Sequence, residues 1–501
     1  GKSLADILKG TITNIKHNVY VDGSFETGTF NGNPHNMKLT KYELRYNNEP
    51  VGHLLAIKLN EQVKNADGTV KVFEDGSTWK KYKQTFTFRT KITNSFMLVQ
   101  SPDSRNMNIA VFVRTVKNSQ GVDKQWITYA NAWPYYKSRM FKKQVLTNDA
   151  AKKLSVSKEA ANVNTSGIAT ATDSNGALKD SYNKTDRTIL YRLSVNAEGI
   201  RGIDDYIENV SLQDIMPKGW KFDKIDAEDF LIYKGNTLPD GNTDVDFASN
   251  EAFVEAVGNP LPKTEWEQFL TFTTENASDS TKAVFKFSKL NGPYVILIKA
   301  RLTDEGLSGP DGKLLNKDGN VTNNASLQLG QMRKNGSQKV AYDTKFLSKI
   351  SGENVVNGSV KDLTWTVGYS PYNLPEATKN EVARPGADVE LVDVLGNGME
   401  IKKDTEGNLS FDRGYYVLTE KWEVNGESKE KTYTDNELKA ENVISYNKIT
   451  RELKVKLKNP MHEYKFSYVT TLIVNQGDVI SNTVKIVVNG QAKHEEVKQV
   501  Y

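Results

Sequence analysis

The sequence predicts an all-β protein built of three tandem β-sandwich domains of immunoglobulin-like type in an elongated array. Several segments alternate apolar and polar residues with a period of two, which is typical of strands buried on one face. Asn-Gly and Asp-Gly dipeptides recur between them and favour tight hairpin turns. The length of 501 residues suits about three domains. The clearest alternating segments are 85–92, 190–195, 364–369, 453–457 and 484–488.

Composition excludes several classes of protein. The 66 basic and 62 acidic residues are well mixed, so no basic stripe for nucleic acid is expected. No apolar run is long enough to span a bilayer. The absence of cysteine removes disulfides, thiolate catalysis and cysteine-based zinc sites. The chain opens with Gly-Lys-Ser rather than Met, so we expect any signal peptide or wall anchor to lie outside it.

Changes in composition along the chain predict the domain boundaries. Residues 1–146 form a β-rich first domain that is the candidate ligand-binding domain. Residues 147–176 are rich in small polar residues and alanine, and they indicate a linker with a short helix near 149–161. Residues 177–334 and 335–490 are the second and third domains, and a polar tail covers 491–501.

The second and third domains repeat one order of residues. An alternating strand ends in Asp214 in one domain and in Asp393 in the other, each before a turn. A lysine precedes each aspartate, and Asn-x-small follows it on a late strand. The predicted sets are Lys179, Asp214 and Asn323, then Lys349, Asp393 and Asn482. Lys184 and Lys345 are the alternative lysines.

Burial gives these side chains a chemistry that requires no cofactor. A lysine in an apolar core has a lowered pKa and becomes a nucleophilic amine, whereas a buried aspartic acid keeps its proton. The acid can polarise the asparagine amide and pass a proton to departing ammonia. The product is an intramolecular Lys–Asn isopeptide bond, made once per domain, with Asp214 and Asp393 as the acids.

Short motifs in residues 177–490 carry a family resemblance. They lie at 191–196, 210–222, 322–325, 365–369, 393–398, 464–471 and 481–483. These motifs resemble the collagen-adhesin A-type, isopeptide-forming domains of Gram-positive surface proteins. The resemblance implies a lysine on the first strand, an aspartate on a middle strand and an asparagine on the last.

The resemblance implies a function as well as a fold. We expect a monomeric, wall-anchored extracellular adhesin or stalk, a virulence-related surface protein that attaches to a host matrix protein or glycan. Apart from the single-turnover cross-links, no enzymatic activity and no cofactor are expected. A minor or tip pilin subunit is the alternative within this class. A secreted carbohydrate-active enzyme with accessory β-sandwiches is the alternative from another class.

The first domain contains the candidate contact residues, which mix aromatic rings with cations: Trp79, Tyr82, Trp133 and Tyr135. Tyr129 to Trp133 faintly resembles the late asparagine strand, although no aspartate turn precedes it. In the second domain, Asp240 to Glu251 has the spacing of a calcium loop, but Val245 stands where that loop needs glycine. An acidic surface loop without metal is therefore expected there.

Overall fold

Nearly all the regular structure in the described part of the chain is β, in antiparallel sheets, which confirms the predicted fold class. Within the ranges described, every helix is too short or too polar to span a lipid bilayer. The computed structural model describes residues 19–24, 38–46, 49–58, 65–69, 72, 74, 108–117, 119–132, 140–196, 210–236, 254–277, 280–290, 292–309, 313–330, 332–356, 359–411, 414–424, 427–440, 442–474 and 478–500.

The chain forms two compact units, one containing the described residues up to Ala132 and the other those from Met140 onwards. In the first unit a three-stranded antiparallel sheet has the order β1-β2-β3, and β4 and β5 form a separate hairpin. The strands are β1 Val19–Ser24, β2 Lys38–Tyr46, β3 Glu49–Lys58, β4 Asn108–Lys117 and β5 Asp123–Ala132.

Residues 140–343 of the second unit form a β-sandwich, here called the middle sandwich. Its strands are β6 Phe141–Val145, β7 Tyr182–Asn183, β8 Thr188–Val195, β9 Val210–Met216, β10 Trp220–Asp223, β11 Leu231–Gly235, β12 Ala256–Val257, β13 Leu270–Ala277, β14 Ser280–Phe287, β15 Tyr294–Leu302, β16 Asp318–Leu329 and β17 Met332–Asp343. One sheet has the order β12-β11-β15-β8-β6, with β7 and β10 attached, and faces a second sheet of order β13-β14-β9-β16-β17. Apolar residues from both sheets form one core.

Residues 344–500 form a second sandwich, here called the C-terminal sandwich. Its strands are β18 Leu347–Val356, β19 Ser359–Tyr369, β20 Val389–Leu395, β21 Met399–Ile401, β22 Tyr416–Val424, β23 Glu427–Thr432, β24 Ile444–Asn447, β25 Glu452–Lys456, β26 Glu463–Leu472, β27 Ile480–Val488 and β28 Gln491–Val500. The sheets β18-β19-β26-β22-β23 and β24-β25-β20-β27-β28 enclose one core, with β21 attached to β26.

The described helices are short and lie at the ends or on the outside of the sheets. Between strands, 3-10 turns cover Ala160–Val163, Thr165–Gly167 and Pro371–Asn373. The α-helices are α1 Asn148–Val156, α2 Lys263–Trp266, α3 Glu376–Val382 and α4 Asp435–Ala440.

The predicted linker 147–176 is wrong, because this segment folds onto the middle sandwich. The Thr147 hydroxyl oxygen accepts a hydrogen bond from the backbone N–H of Ala150 at 3.2 Å and caps α1. Ala150 and Leu154 of α1 then pack with Leu190 in an outer apolar layer. The small side chains that suggested a linker instead allow close packing on the sheet.

Burial on both faces of β8 follows from this packing. Every residue of β8 is buried, although its sequence predicted a half-buried strand. Arg192 lies on the face of β8 that is turned away from the core between the two sheets, and it is almost fully buried there. Its guanidinium donates to the backbone oxygens of Val163 at 2.9 Å and Val254 at 2.6 Å. The same group donates to the side chains of Gln144 and Ser194, so four acceptors, one of them in residues 147–176, satisfy this buried cation.

Three predicted boundaries also shift. The strand β6 pairs with β8, so residues 141–146 belong to the middle sandwich and not to the first domain. The boundary at 334 falls inside β17, which pairs with β16 along its whole length. The polar tail from 491 forms β28, an edge strand of the C-terminal sandwich. Its polar sequence fits an edge strand with one solvated face.

The Asn-Gly dipeptides have two different roles. Asn489 and Gly490 adopt φ values of 51° and 78° and form the turn between β27 and β28, as expected for a hairpin. Asn335 and Gly336 instead lie inside β17. Gly336 is required there for packing, as the next section describes, and not for a turn.

Candidate functional site

Lys349, Asp393 and Asn482 lie together in the core of the C-terminal sandwich. Lys349 is on β18, and the other two residues are on β20 and β27, neighbouring strands of the facing sheet. The Nζ atom of Lys349 donates a hydrogen bond to Oδ2 of Asp393. The side chains of this pair are 0% and 3% exposed. The structure therefore brings together the three residues predicted for this domain.

The middle sandwich contains a matching cluster, but its lysine is Lys143 and not Lys179. The Nζ atom of Lys143, on β6, donates a hydrogen bond to Oδ2 of Asp214 on β9, and both side chains are 0% exposed. Asn323 lies on the adjacent strand β16 and is fully buried. Lys179 is exposed, and its backbone N–H donates to the oxygen of Ala171 in the segment that covers the sheet.

The two alternative lysines also lie outside the clusters. Lys184 forms an ion pair with Glu463, and Lys345 forms one with Asp318 at 2.6 Å. Lys143 was missed because residues 147–176 separate β6 from β8 in the chain. The strand β6 was therefore assigned to the first domain. The alternation of Phe141, Lys143 and Val145 on one strand face was the signal that could have identified it.

Both clusters share one strand register. Asp214 lies opposite Ala325 and Asp393 opposite Val484, and in each case the asparagine lies two residues earlier on the partner strand. Because side chains alternate along a strand, aspartate and asparagine point to the same face. The lysines also occupy matching positions. Lys143 pairs with Leu193, which lies two residues after Tyr191. Lys349 pairs with Val367, which lies two residues after Trp365.

Aromatic rings form one wall of each cluster. The Nζ atom of Lys143 lies 4.2 Å from the centre of the Tyr191 ring. The Nζ atom of Lys349 lies 5.2 Å from the Trp365 ring and 5.6 Å from the Tyr468 ring. These buried rings exclude water from the lysine, which favours its neutral form.

Burial sets the electrostatics of both pairs. It lowers the pKa of Lys143 and Lys349, and the facing carboxylates oppose this shift without reversing it. Burial also raises the pKa of Asp214 and Asp393, against the effect of the nearby ammonium groups. Both shifts favour the neutral forms, an amine and a carboxylic acid.

Polar atoms at the centre of each cluster lack partners. In Asp214, Asn323, Asp393 and Asn482 the Oδ1 atom is buried and accepts no hydrogen bond from any residue in the described ranges. A protonated carboxyl oxygen beside an amide carbonyl would satisfy both atoms with one hydrogen bond. The arrangement thus has the parts for amide aminolysis: an amine, an amide and an acid.

The edge of β17 holds β6 in place. Gln338 donates a hydrogen bond from Nε2 to the backbone oxygen of Lys143 at 2.7 Å. A Cβ atom on Gly336 would lie only 2.9 Å from Cβ of Lys143 and 3.0 Å from the ring of Phe141. Glycine at position 336 therefore allows the close approach that puts Lys143 in the core.

Several other predictions concern residues outside the described ranges. Trp79, Tyr82, Trp133 and Tyr135 lie outside the described residues, as does the loop from Asp240 to Glu251. For Asn131 on β5, the structure describes the backbone and not the side chain. Among the described residues, no group of three or more histidine, aspartate or glutamate side chains is arranged to hold a metal ion.

No family model and no curated protein matches this chain. Among solved structures, it resembles the C-terminal domain of the antigen I/II polypeptide BspA of Streptococcus agalactiae, at 13% identity and a TM-score of 0.27, covering 72% of this chain and 99% of that one. It also resembles the collagen-binding domain of a Staphylococcus aureus adhesin, at 10% identity and a TM-score of 0.22, over 31% and 97% of the two chains.

A third similar structure is the collagen-binding subdomain of the Enterococcus faecalis surface protein ACE. Its identity is 14% and its TM-score 0.21, over 32% of this chain and 96% of that one. Two of these three matches are collagen-binding domains, one from an adhesin and one from a surface protein. At such low identities and TM-scores, the similarities do not by themselves assign a function to this chain.

Proposed function

We propose that each sandwich forms an intramolecular isopeptide bond, Lys143 to Asn323 in the middle one and Lys349 to Asn482 in the C-terminal one. The observation that carries this proposal is the recurrence of one buried lysine, one buried aspartate and one buried asparagine at the same strand register in both sandwiches. A chance cluster of these residues would have no reason to repeat its register.

The reaction balances without an added reagent. The neutral lysine Nζ attacks the asparagine Cγ, a C–N bond forms, and the bond from Cγ to Nδ2 breaks. The aspartic acid first shares its proton with the amide oxygen, which makes Cγ more electrophilic. It then relays a proton from the attacking nitrogen to the departing one, so that ammonia leaves. Positioning supplies the rate, because both reactants are fixed in a dry core.

The cross-links would replace the stabilisation that disulfides give to other extracellular proteins. Each joins the first strand of one sheet to the facing sheet across a long chain segment. By the entropy argument used for disulfides, closing a loop of more than a hundred residues stabilises the fold by about 5 kcal/mol. A covalent link between early and late strands also resists mechanical unfolding.

We infer from these bonds and from the family resemblance that the chain is part of a Gram-positive surface adhesin or its stalk. Its ligand would be an extracellular matrix protein or a glycan, bound outside the cell through the first unit. Its only covalent chemistry would be the single turnover in each sandwich. An attached adhesin is under mechanical tension, and this tension explains why both sandwiches would need internal bonds.

Intact-mass spectrometry tests the bonds directly. The expected mass is that of the sequence minus two molecules of ammonia, and proteolysis should yield one linked peptide pair per sandwich. A mass equal to that of the unmodified chain would refute the cross-links. Adhesion is tested separately by an array of collagen, fibrinogen, fibronectin and host glycans. Binding without turnover supports the adhesin, whereas glycan hydrolysis would favour the enzyme alternative.

A further inference from the structure

A buried tyrosine hydroxyl lies at each cluster, and it comes from a different strand in the two sandwiches. In the C-terminal sandwich Tyr468 on β26 lies directly opposite Trp365 on β19. In the middle sandwich the same cross-strand pair is Ile298 on β15 and Tyr191 on β8. Each pair contains one tyrosine, and its partner has no hydroxyl. The partner is Trp365 in the C-terminal sandwich and Ile298 in the middle one. The hydroxyl is retained although its strand has changed.

The hydroxyl of Tyr468 contacts the reacting groups themselves. It accepts a hydrogen bond from Nδ2 of Asn482 at 2.7 Å and another from Nζ of Lys349 at 3.4 Å. Nδ2 is the nitrogen that would leave as ammonia. The ring is completely buried, so no water competes for these contacts.

The hydroxyl of Tyr191 is buried as well and has no hydrogen-bond partner among the described residues. The centre of the Tyr191 ring lies 4.2 Å from Nζ of Lys143, which donates to Asp214. Burial and the charge of Asp214 raise the pKa of this hydroxyl, and the amide of Asn323 lowers it. Nδ2 of Asn323 donates at present to the thioether sulfur of Met216 at 3.1 Å. A thioether is a weak acceptor, so the nearby hydroxyl is the stronger candidate partner.

We propose that a tyrosine hydroxyl is the fourth member of each cluster, Tyr468 in one and Tyr191 in the other, and that it holds the amide nitrogen that departs. This inference rests on the proposed isopeptide bonds. Accepting an N–H of the carboxamide fixes the rotation of the planar amide, so that its carbonyl oxygen is directed towards the aspartic acid before the attack. When Cγ becomes tetrahedral, the nitrogen gains a lone pair, to which the phenol O–H can donate. The proton lost with ammonia still comes through the aspartic acid, and the tyrosine remains neutral.

Tyr468→Phe tests the inference, since it removes the hydroxyl and keeps the ring. We expect the C-terminal bond to form about tenfold more slowly, as loss of one buried hydrogen bond to the reacting nitrogen implies, while the middle bond forms at its normal rate. The measurement is the bonded fraction of each sandwich over time, from intact mass and linked peptides of freshly purified full chain.

Tyr416→Phe is the matched control. Tyr416 pairs with Tyr468 across β22 and β26 and is equally buried, but its hydroxyl donates to the backbone oxygen of Lys402 at 2.8 Å. This control should bond as fast as the wild type. Equal slowing in both variants would overturn the inference, because it would indicate a general disturbance of the core.

A rescue variant separates position from packing. Trp365→Tyr combined with Tyr468→Ile gives the C-terminal sandwich the arrangement of the middle one, and bonding should recover towards the wild-type rate. Tyr191→Phe provides the second arm, in the middle sandwich, should Tyr468→Phe fail to fold. If the wild type lacks both bonds, the proposed function fails. If the wild type bonds and both phenylalanine variants match its rates, only the role of the hydroxyl fails.

Discussion

Lys143 donates a hydrogen bond to Oδ2 of Asp214, 71 positions later in the chain, inside a core that excludes solvent from both side chains. Burying such a pair costs desolvation energy that hydrophobic residues in the same place would not cost. A pair retained twice in one chain, each time beside a buried asparagine, is thus better explained by chemistry than by stability.

Removing either aspartate should block one bond. We expect Asp214→Ala and Asp393→Ala each to restore the mass of one ammonia and to lower the melting temperature by about 10 °C, since each variant loses a cross-link and leaves a buried amine unpaired. Asp318→Ala is the control, because Asp318 pairs with Lys345 at the surface. If either aspartate variant still lacked two molecules of ammonia relative to the mass of its own sequence, the assigned acid would be contradicted.

The choice between two lysines is tested by a pair of substitutions. Lys143→Met should eliminate the linked peptide of the middle sandwich, because it removes the amine that faces Asp214. Lys179→Met should leave that peptide intact, since Lys179 is exposed. Peptide mapping by mass spectrometry gives the answer, and the opposite pattern would restore the assignment made from the sequence.

Gly336→Val should hinder the middle bond without altering the C-terminal one. The added side chain would press on Lys143 and Phe141, so we expect destabilisation of about 1–3 kcal/mol and an unbonded fraction confined to the middle sandwich. Gly352→Ala is the milder control, because its nearest atom would be 3.9 Å from the new Cβ. Full bonding in Gly336→Val would show that β6 can shift and still react.

Acid stability should depend on Glu420 of β22. Burial alone would raise the pKa of Glu420, but hydrogen bonds from Asn459 at 2.7 Å, Tyr433 at 2.8 Å and His462 lower it overall, below 4.5. The unfolded state therefore binds the proton more readily, and the stability that this carboxylate contributes is present above pH 4.5 and lost as the pH falls through its folded value.

Urea unfolding at several pH values measures this effect. Wild type should lose stability relative to Glu420→Gln on acidification below pH 4.5. Glu430→Gln removes an exposed carboxylate that pairs with Lys421, and it should follow the wild-type profile. A constant difference between wild type and Glu420→Gln across this range would show that the hydrogen bonds do not favour the charged form.

Local patterns were sufficient to predict the strands and much of the candidate site. The aspartate at the end of an alternating strand and the asparagine on a late strand are features of single segments, and alternation assigns both to an inward face. For Lys143 the same alternation marks an inward side chain, but it does not show which sheet the strand joins. Its strand is separated from β8 by a segment whose small residues resemble a linker, and only pairing between strands distant in sequence reveals that they are neighbours.

The segment 147–176 lies between Lys143 and Asn323 in the chain, together with every loop of the middle sandwich except the turn between β16 and β17. Once the Lys143–Asn323 bond has formed, these residues belong to a closed covalent ring. A protease that cuts inside the ring opens it but releases no fragment, and the cut chain remains one molecule even when it is fully denatured. The sandwich could thus tolerate cleavage of its surface loops and still transmit tension through its cross-link.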